Sequence, residues 1–374
     1  KVSFDGPERV LVLITSLNRG GAETMAMNYY RHFDRNVIQY DFLVNREEIG
    51  AYEEEIQSLG GRIYRMCPMY PQYFHRYKKE FRAFLREHPE YRIIHSNLEE
   101  RSYFPLKIAA EENVPVRISH AHNEYRTHDL KTPFRDYFRH HLRPYITDGF
   151  ACSTEAGIWL YGEDAMRTGK IKIVQNAIDP KLYCFNPIER DSLRTKLKLT
   201  DRFVVGNVGR LAEQKNQRFL LDVFLELHKK RSDTFLLLVG EGELRDSLIA
   251  YATELGIGND IAFVGSVPNV WDYLQAMDCF VFPSLYEGLG MSLIEAQATG
   301  LPCVASSAVP TEADITGNVK ILPLTLSAQE WAEAILDFNV EKRSSNRSLL
   351  KSKHFDIEDE AKKLQAFYLK SIEK

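Results

Sequence analysis

The chain has 374 residues, of which 44% are hydrophobic and 27% charged, with a formal net charge of −4. A single core ordinarily takes about 100–200 residues, so two domains are expected, and the composition excludes a disordered chain. The near-neutral balance speaks against the basic field of a nucleic-acid-binding protein, and no nucleic-acid partner is expected.

No apolar run approaches the roughly 18–20 residues that a spanning helix needs; the longest candidates, such as FLLLVG at 235–240, are strand-sized. The first ten residues, KVSFDGPERV, hold no apolar core of the signal-peptide kind. Cys67, Cys152, Cys184, Cys279 and Cys303 are dispersed with no C-x-x-C pair, which reads as reduced core thiols of a cytosolic protein.

In chain order, RVLVLIT (9–15), YDFLVN (40–45), RIYRMC (62–67), RIIHSN (92–97), VRISHA (116–121), GFACST (149–154) and IKIVQN (171–176) read as strands. They are rich in β-branched residues and almost continuously apolar, as strands buried on both faces are. The stretches between them carry helical periodicity, and alternating strand and helix implies an open parallel sheet. The pattern restarts with FVVGNVG (203–209), FLLLVG (235–240), IAFVG (261–265), CFVFPS (279–284), LPCVASS (301–307) and NVKILP (318–323).

The expected class is therefore α/β, with two Rossmann-like parallel-sheet domains facing across a cleft. The expected boundaries are 1–180 and 181–354, with the polar segment 180–192 as linker. Residues 355–374 form a last helix, with Leu364, Phe367, Tyr368 and Ile372 as its apolar face. Ligands of such sheets bind beyond the carboxyl ends of the strands.

The densest chemical signal is PSLYEGLGMSLIEAQATGLPCVAS (283–306). A strand ends, a loop with Gly288 and Gly290 follows, and a helix begins near Ser292. Its free amides and positive dipole end suit a phosphate. Glu287 and Glu295 stand eight residues apart across this turn, where carboxylates can accept from sugar or ribose hydroxyls. Glu295 has a second explanation, since Ser292-Leu-Ile-Glu295 has the spacing of a capping box.

In GNVGRLAEQKNQ (206–217), Arg210 and Lys215 can clamp a diphosphate, the one as a fork and the other as a point charge, or can be ordinary surface cations. SLNRGGAET (16–24) is another glycine loop between strand and helix. It matches neither a G-x-G-x-x-G nor a Walker pattern. His120 and His122 close a strand in RISHAHNEY (117–125). No third ligand at zinc-like spacing accompanies them, so no metal is expected, and a sugar-contacting role competes with a structural one. The segments 71–92 and 125–145 mix Arg, Lys and His with Phe and Tyr. They suit an anionic membrane surface or solvated helix faces.

Together these segments resemble the family 4 retaining glycosyltransferases of the GT-B fold. The likeness is carried by E-x7-E at 287–295, GRLAEQKN, LLLVGEGELRDSL (236–248), LNRGGAE and IVQNAID (173–179), in order along nearly the whole chain. R-I-x-H-x-H-N and E-A-Q-A-x-G-L-P point to the bacterial capsule and exopolysaccharide branch. Ala177 stands where many relatives have glycine.

The resemblance implies that Arg210 and Lys215 hold the donor diphosphate, Glu295 the ribose, and Glu287 the donor sugar. It implies phosphate and sugar contacts from the amides of Leu289, Gly290, Met291 and Ser292. Gly265 and Ser266 would flank the nucleobase, and Gly20 and Gly21 would approach the donor from the N-terminal domain. His120 or His122 would face the transferred sugar. It implies further a UDP-sugar donor, a saccharide acceptor carried on a lipid at the cytoplasmic membrane face, retention of configuration, and no cofactor or metal. The competing expectations are a GT-B sugar-nucleotide epimerase and a non-catalytic nucleotide-sugar-binding subunit.

Overall fold

A computed structural model describes residues 6–122, 132–338, 343–344 and 346–373. The chain divides into two compact units, Lys1–Ala177 with His354–Lys374, and Ile178–Lys353. It passes from the first unit to the second after Ala177 and returns after Lys353.

The first unit holds β1 (Glu8–Ile14), β2 (Ile38–Val44), β3 (Ile63–Arg65), β4 (Ile93–Ser96), β5 (Val116–Ala121), β6 (Asp148–Ala151) and β7 (Ile171–Ile173). They form one sheet in the order β3-β2-β1-β4-β5-β6-β7, and every pairing is parallel. The period of two along a strand sends alternate side chains to opposite faces. Leu11 and Leu13 of β1 therefore enter one core layer, while Val10, Val12 and Ile14 enter the other.

The helices Gly21–His32 and Ile357–Ser371 cover the second layer. In the latter helix, Ile357, Ala361, Leu364 and Tyr368 are the buried stripe, spaced as one helical face requires. Asp356 caps it by accepting the Glu358 amide at 3.0 Å.

The second unit holds β8 (Phe203–Val208), β9 (Thr234–Val239), β10 (Ile261–Gly265), β11 (Cys279–Phe282), β12 (Cys303–Ser306) and β13 (Lys320–Leu322). Their order is β10-β9-β8-β11-β12-β13, again all parallel. In each sheet the order reverses once, between β1 and β4 and between β8 and β11. Loops leaving such neighbouring strands diverge, so a crevice opens at their carboxyl ends.

Two local expectations change. The polar stretch at 180–192 is not all loop, because Pro187–Lys196 is a helix. Asn186 caps it by accepting from the Ile188 and Glu189 amides, and Pro187 fits the first helical position. It lacks an apolar stripe because charge fills its inner face: Arg190 and Arg194 reach Asp278 at 2.5 and 3.1 Å. Among the cysteines, Cys184 is exposed while the other four are buried.

Candidate active site

At the β8/β11 reversal, residues 209–216 follow β8 and residues 283–290 follow β11. The two loops are laced together. The Leu285 amide donates to the Gln214 carbonyl at 2.8 Å, Gln214 Nε2 to the Tyr286 carbonyl at 3.0 Å, and Asn216 Nδ2 to the Pro283 carbonyl at 3.1 Å. Asn216 sits at φ +54°, the left-handed region that asparagine tolerates, and starts the helix Gln217–Lys230.

A third strand braces this loop. The Gly209 amide donates to Val239 and the Leu211 amide to Glu241, at 3.0 and 2.9 Å. Gly240, at φ +141°, must be glycine, since a Cβ there would stand 2.0 Å from the Gly209 carbonyl oxygen. Gly265, at φ +86°, accepts the Gly240 amide at 2.9 Å, and Ser266 beyond it is exposed.

Lys215 and Glu287, expected at diphosphate and sugar respectively, meet each other. Lys215 Nζ lies 2.6 Å from Glu287 Oε1, with side chains 15% and 6% exposed. The ammonium also sits 5.0 Å from the centre of the Phe282 ring, a favourable cation–π placement. An ammonium has three donors, so this pairing leaves capacity for a further anion. The Arg210 side chain is exposed and makes no hydrogen bond or ion pair among the described residues. Its backbone is fixed by Gln217 Nε2 at 3.0 Å.

The helix Met291–Ala298 begins on Gly290 at φ +84° and has no side-chain cap. The Ser292–Glu295 capping box is therefore not formed. The helix starts two residues earlier than the motif suggests, which places Ser292 inside the first turn. Leu289 is buried, Met291 and Ser292 half-buried, and the first amides of the helix are available to an anion. Glu295 instead accepts a hydrogen bond from Tyr183, and its desolvated setting pushes its pKa up to about 7 against that bond and the charge of Lys215. Tyr183, packed edge-on to Trp271 at 6.1 Å, gave no sequence signal, as it stands alone in a polar segment.

In the first unit, the loop after β1 leads into the helix Gly21–His32, whose cap position, Gly20, supplies no side-chain bond. Glu23 folds back over Gly20, where a Cβ would stand 2.3 Å from its Oε2, and burial raises its pKa.

The two histidines separate. His120 lies within β5, 1% exposed, with Nδ1 3.0 Å from His95 Nε2. His122 stands just past the strand end, half-buried, with Nε2 2.7 Å from Asn97 Oδ1 and its amide donating to Glu99 Oε1 at 2.9 Å. Burial depresses the His122 pKa to about 4, so the ring is neutral near pH 7. Glu99 holds its place at φ +52°, an uncommon conformation for glutamate. Asn97, Glu99 and His95 escaped the sequence reading, although RIIHSN ends at the same sheet edge as RISHAH. Residues 123–125 of that second motif lie outside the described residues.

The basic segments are less basic than expected. Arg76 pairs with Glu80, Arg82 with Glu111 and Glu112, and Arg86 with Glu112. In the helix Thr132–Leu142, Arg135 and Arg139 are half-buried, and Arg139 bonds Asp136 at 3.0 Å and the Trp159 carbonyl at 2.6 Å. The same helix exposes Phe134 at 63% and Tyr137 at 52%. Residues 125–131 of the second segment lie outside the described residues. No helix among the described residues is long and apolar enough to cross a membrane. No described group of three or more His, Cys, Asp or Glu is placed to hold a metal ion.

A two-unit, doubly wound chain with phosphate-ready loops at a strand reversal has the architecture of a GT-B enzyme. Residues 189–350 match the family model "Glycosyl transferases group 1". Over 337 residues the chain is 34% identical to the putative glycosyltransferase EpsF of Bacillus subtilis, covering 88% of this chain and 87% of that one. It is 24% identical to the capsular polysaccharide biosynthesis glycosyltransferase CapH of Staphylococcus aureus, covering 96% and 98%. Among solved structures it is similar to Anabaena HepE in complex with UDP and glucose, at a TM-score of 0.79 and 21% identity, covering 97% of this chain and all of that one. The chain belongs to the group 1 glycosyltransferases, and its fold is GT-B.

The raised Glu295 pKa makes a signed prediction. Its ordinary value is 4.5 and its folded value about 7. Between these the folded state holds a proton that the unfolded state releases. Stability from this group is complete below pH 4.5, falls as pH rises, and levels off above about 7. The span corresponds to about 3 kcal/mol. Glu295→Gln, which cannot ionise, should match the wild type in urea unfolding near pH 4.5 and exceed its stability by about 1–3 kcal/mol at pH 8. A difference that does not change with pH would contradict the assignment.

Proposed function

We propose that this glycosyltransferase moves a sugar from UDP to a saccharide acceptor, with retention of configuration and without a divalent cation, in the building of a surface polysaccharide. The observation that carries the reading is the gathering of Arg210, Lys215 and Glu287 on two laced loops at the β8/β11 reversal, with Glu295 and an uncapped helix N-terminus directly after the second loop. UDP as the carrier is supported by the UDP bound to HepE. Surface polysaccharide is supported by the function for which CapH is named.

Transfer breaks the bond from the sugar C1 to the diphosphate oxygen, and negative charge grows on the leaving diphosphate. Arg210, Lys215 and the amides from Leu289 to Ser292 are fixed positive ends for that charge, which is ordinarily the largest catalytic term. These protein groups take the place a metal would fill. Glu295 accepts from the ribose hydroxyls. Glu287, engaged by Lys215, is a hydrogen-bond acceptor for the sugar rather than a free nucleophile. The acceptor hydroxyl then attacks on the face that the diphosphate leaves, its proton passing to a leaving phosphate oxygen. In the first unit we assign the ligand-facing role to His122, because His120 is engaged in the core, and Gly20 and Gly21 lie at the same sheet edge.

Arg210 is the clean test, since its side chain is unpaired among the described residues and its loss leaves no buried charge. A charge-assisted phosphate bond is worth roughly 1.5–3 kcal/mol. Arg210→Ala should weaken UDP binding about ten- to a hundredfold, with the melting temperature unchanged, in calorimetry run with excess chelator. Unchanged affinity in the variant, or wild-type binding that disappears with the chelator, would sink the clamp.

We place the acceptor on a lipid carrier at the inner membrane face, with the protein held there peripherally. The support is the pair of exposed aromatics, Phe134 and Tyr137, beside half-buried arginines. Aromatic rings favour the headgroup layer. The protein should co-sediment with anionic vesicles, and Phe134→Ser with Tyr137→Ser should reduce that binding severalfold while UDP affinity stays the same. Wild-type protein that ignores such vesicles at low salt would move the acceptor into solution.

A further inference from the structure

Four buried polar side chains form a line through the first unit: Tyr40 from β2, His95 from β4, His120 from β5, and Tyr368 from the helix Ile357–Ser371. The Tyr40 and Tyr368 hydroxyl oxygens are 2.6 Å apart. The Tyr368 oxygen lies 2.6 Å from His95 Nδ1, and His95 Nε2 lies 3.0 Å from His120 Nδ1. None of the four is more than 4% exposed. At the far end, the His120 ring lies against that of His122, with centroids 4.2 Å apart.

Such a line is costly to bury unless its members satisfy one another, and apolar side chains would fill the space at less risk. Its chemistry is also restrictive. Burial raises both phenols and lowers both histidines, so every member is neutral near pH 7. A phenol and a neutral imidazole each carry a single hydrogen to donate. The line can therefore be ordered in only two ways.

In the first, Tyr40 donates to Tyr368, Tyr368 to His95 Nδ1, and His95 Nε2 to His120 Nδ1. His120 then carries its own hydrogen on Nε2. In the second, every bond runs backwards and His120 Nε2 is bare. His120 Nε2 makes no hydrogen bond within bonding geometry, so that end of the line does not choose between the two orders, and the choice lies with Tyr368: donating to His95, it gives the first order.

We propose that Tyr368 is a positioning residue for glycosyl transfer: its hydroxyl fixes the tautomer of His95 and, through it, of His120, and so sets the dipole against which the His122 ring is held. The carboxy-terminal helix is then part of the machinery as well as a cover for the sheet. The inference rests on the ligand-facing role proposed for His122.

The test uses the full chain with 15N-labelled histidine, as wild type and as Tyr368→Phe, which keeps the ring and removes only the hydroxyl. In the wild type, His120 should show one tautomer, protonated on Nε2. In the variant it should become a mixture, and the His122 resonances should shift. UDP affinity should stay within twofold. UDP release from UDP-glucose in the presence of membrane lipid extract should fall about tenfold, without a matching change in KM. Tyr40→Phe keeps the Tyr368–His95 bond and should have the smaller effect on turnover.

A single, unchanged His120 tautomer in Tyr368→Phe would overturn the proposal. So would a mixed tautomer with wild-type turnover, since the tyrosine would then serve packing alone. If the wild type fails to bind UDP, the donor reading fails instead, and the tautomer comparison alone decides whether Tyr368 sets His120.

Discussion

The ion pair between Lys215 and Glu287 joins the two loops to which the donor site is assigned in our proposal. Both charges are largely out of water, at a nitrogen–oxygen distance of 2.6 Å. Removing either partner would leave the other uncompensated, a loss of about 3–5 kcal/mol in comparable buried pairs. The pair holds a cation at the β8/β11 reversal with its own charge balanced by a carboxylate. The lacing bonds from Gln214 and Asn216, and the brace from Gly240, fix the backbone from which that cation projects. Lys215 and the loop backbone are thus held in place in the empty protein, which limits the ordering cost of binding any ligand there.

Around this pair the site combines groups in opposed electrostatic states. Lys215 is balanced by a carboxylate, whereas Arg210 is exposed and unbalanced among the described residues. Glu287 is tied to its cation, whereas Glu295 is desolvated and pushed to about 7 against a tyrosine hydroxyl and the charge of Lys215, which favour its ionised form. Two carboxylates eight residues apart in one motif therefore have different chemistry, set by Lys215 on one side and Tyr183 on the other. Glu295 in particular sacrifices stability above its pKa, a cost expected where a site is arranged for a ligand rather than for the empty fold.

Much of the architecture was legible in the sequence because parallel strands buried on both faces announce themselves by continuous apolar runs. The limits came where polar residues do the packing. The helix Pro187–Lys196 hid because Arg190 and Arg194 turn inward to Asp278, 88 and 84 residues away. The basic look of 71–92 misled for the same reason, since Glu111 and Glu112 neutralise arginines from another helix. Ser292 and Glu295 have the spacing of a cap, but Gly290 takes the cap position two residues earlier. His120 and His122 share one side of a strand by alternation, and only the strand's end at Ala121 distinguishes a core residue from an edge residue. The roles of Tyr183 and Tyr368 depend on contacts across the fold that no local pattern encodes.

In our proposal the reversal between β8 and β11 recognises a nucleoside diphosphate chiefly through its phosphates. Calorimetric titration of the wild type with UDP and with uridine, at one fixed ionic strength, tests it most directly. Two charge-assisted contacts of ordinary strength predict that UDP binds at least about a hundredfold more tightly than uridine. Equal affinities for the two, or no binding of UDP, would rule out recognition through the phosphates at this reversal.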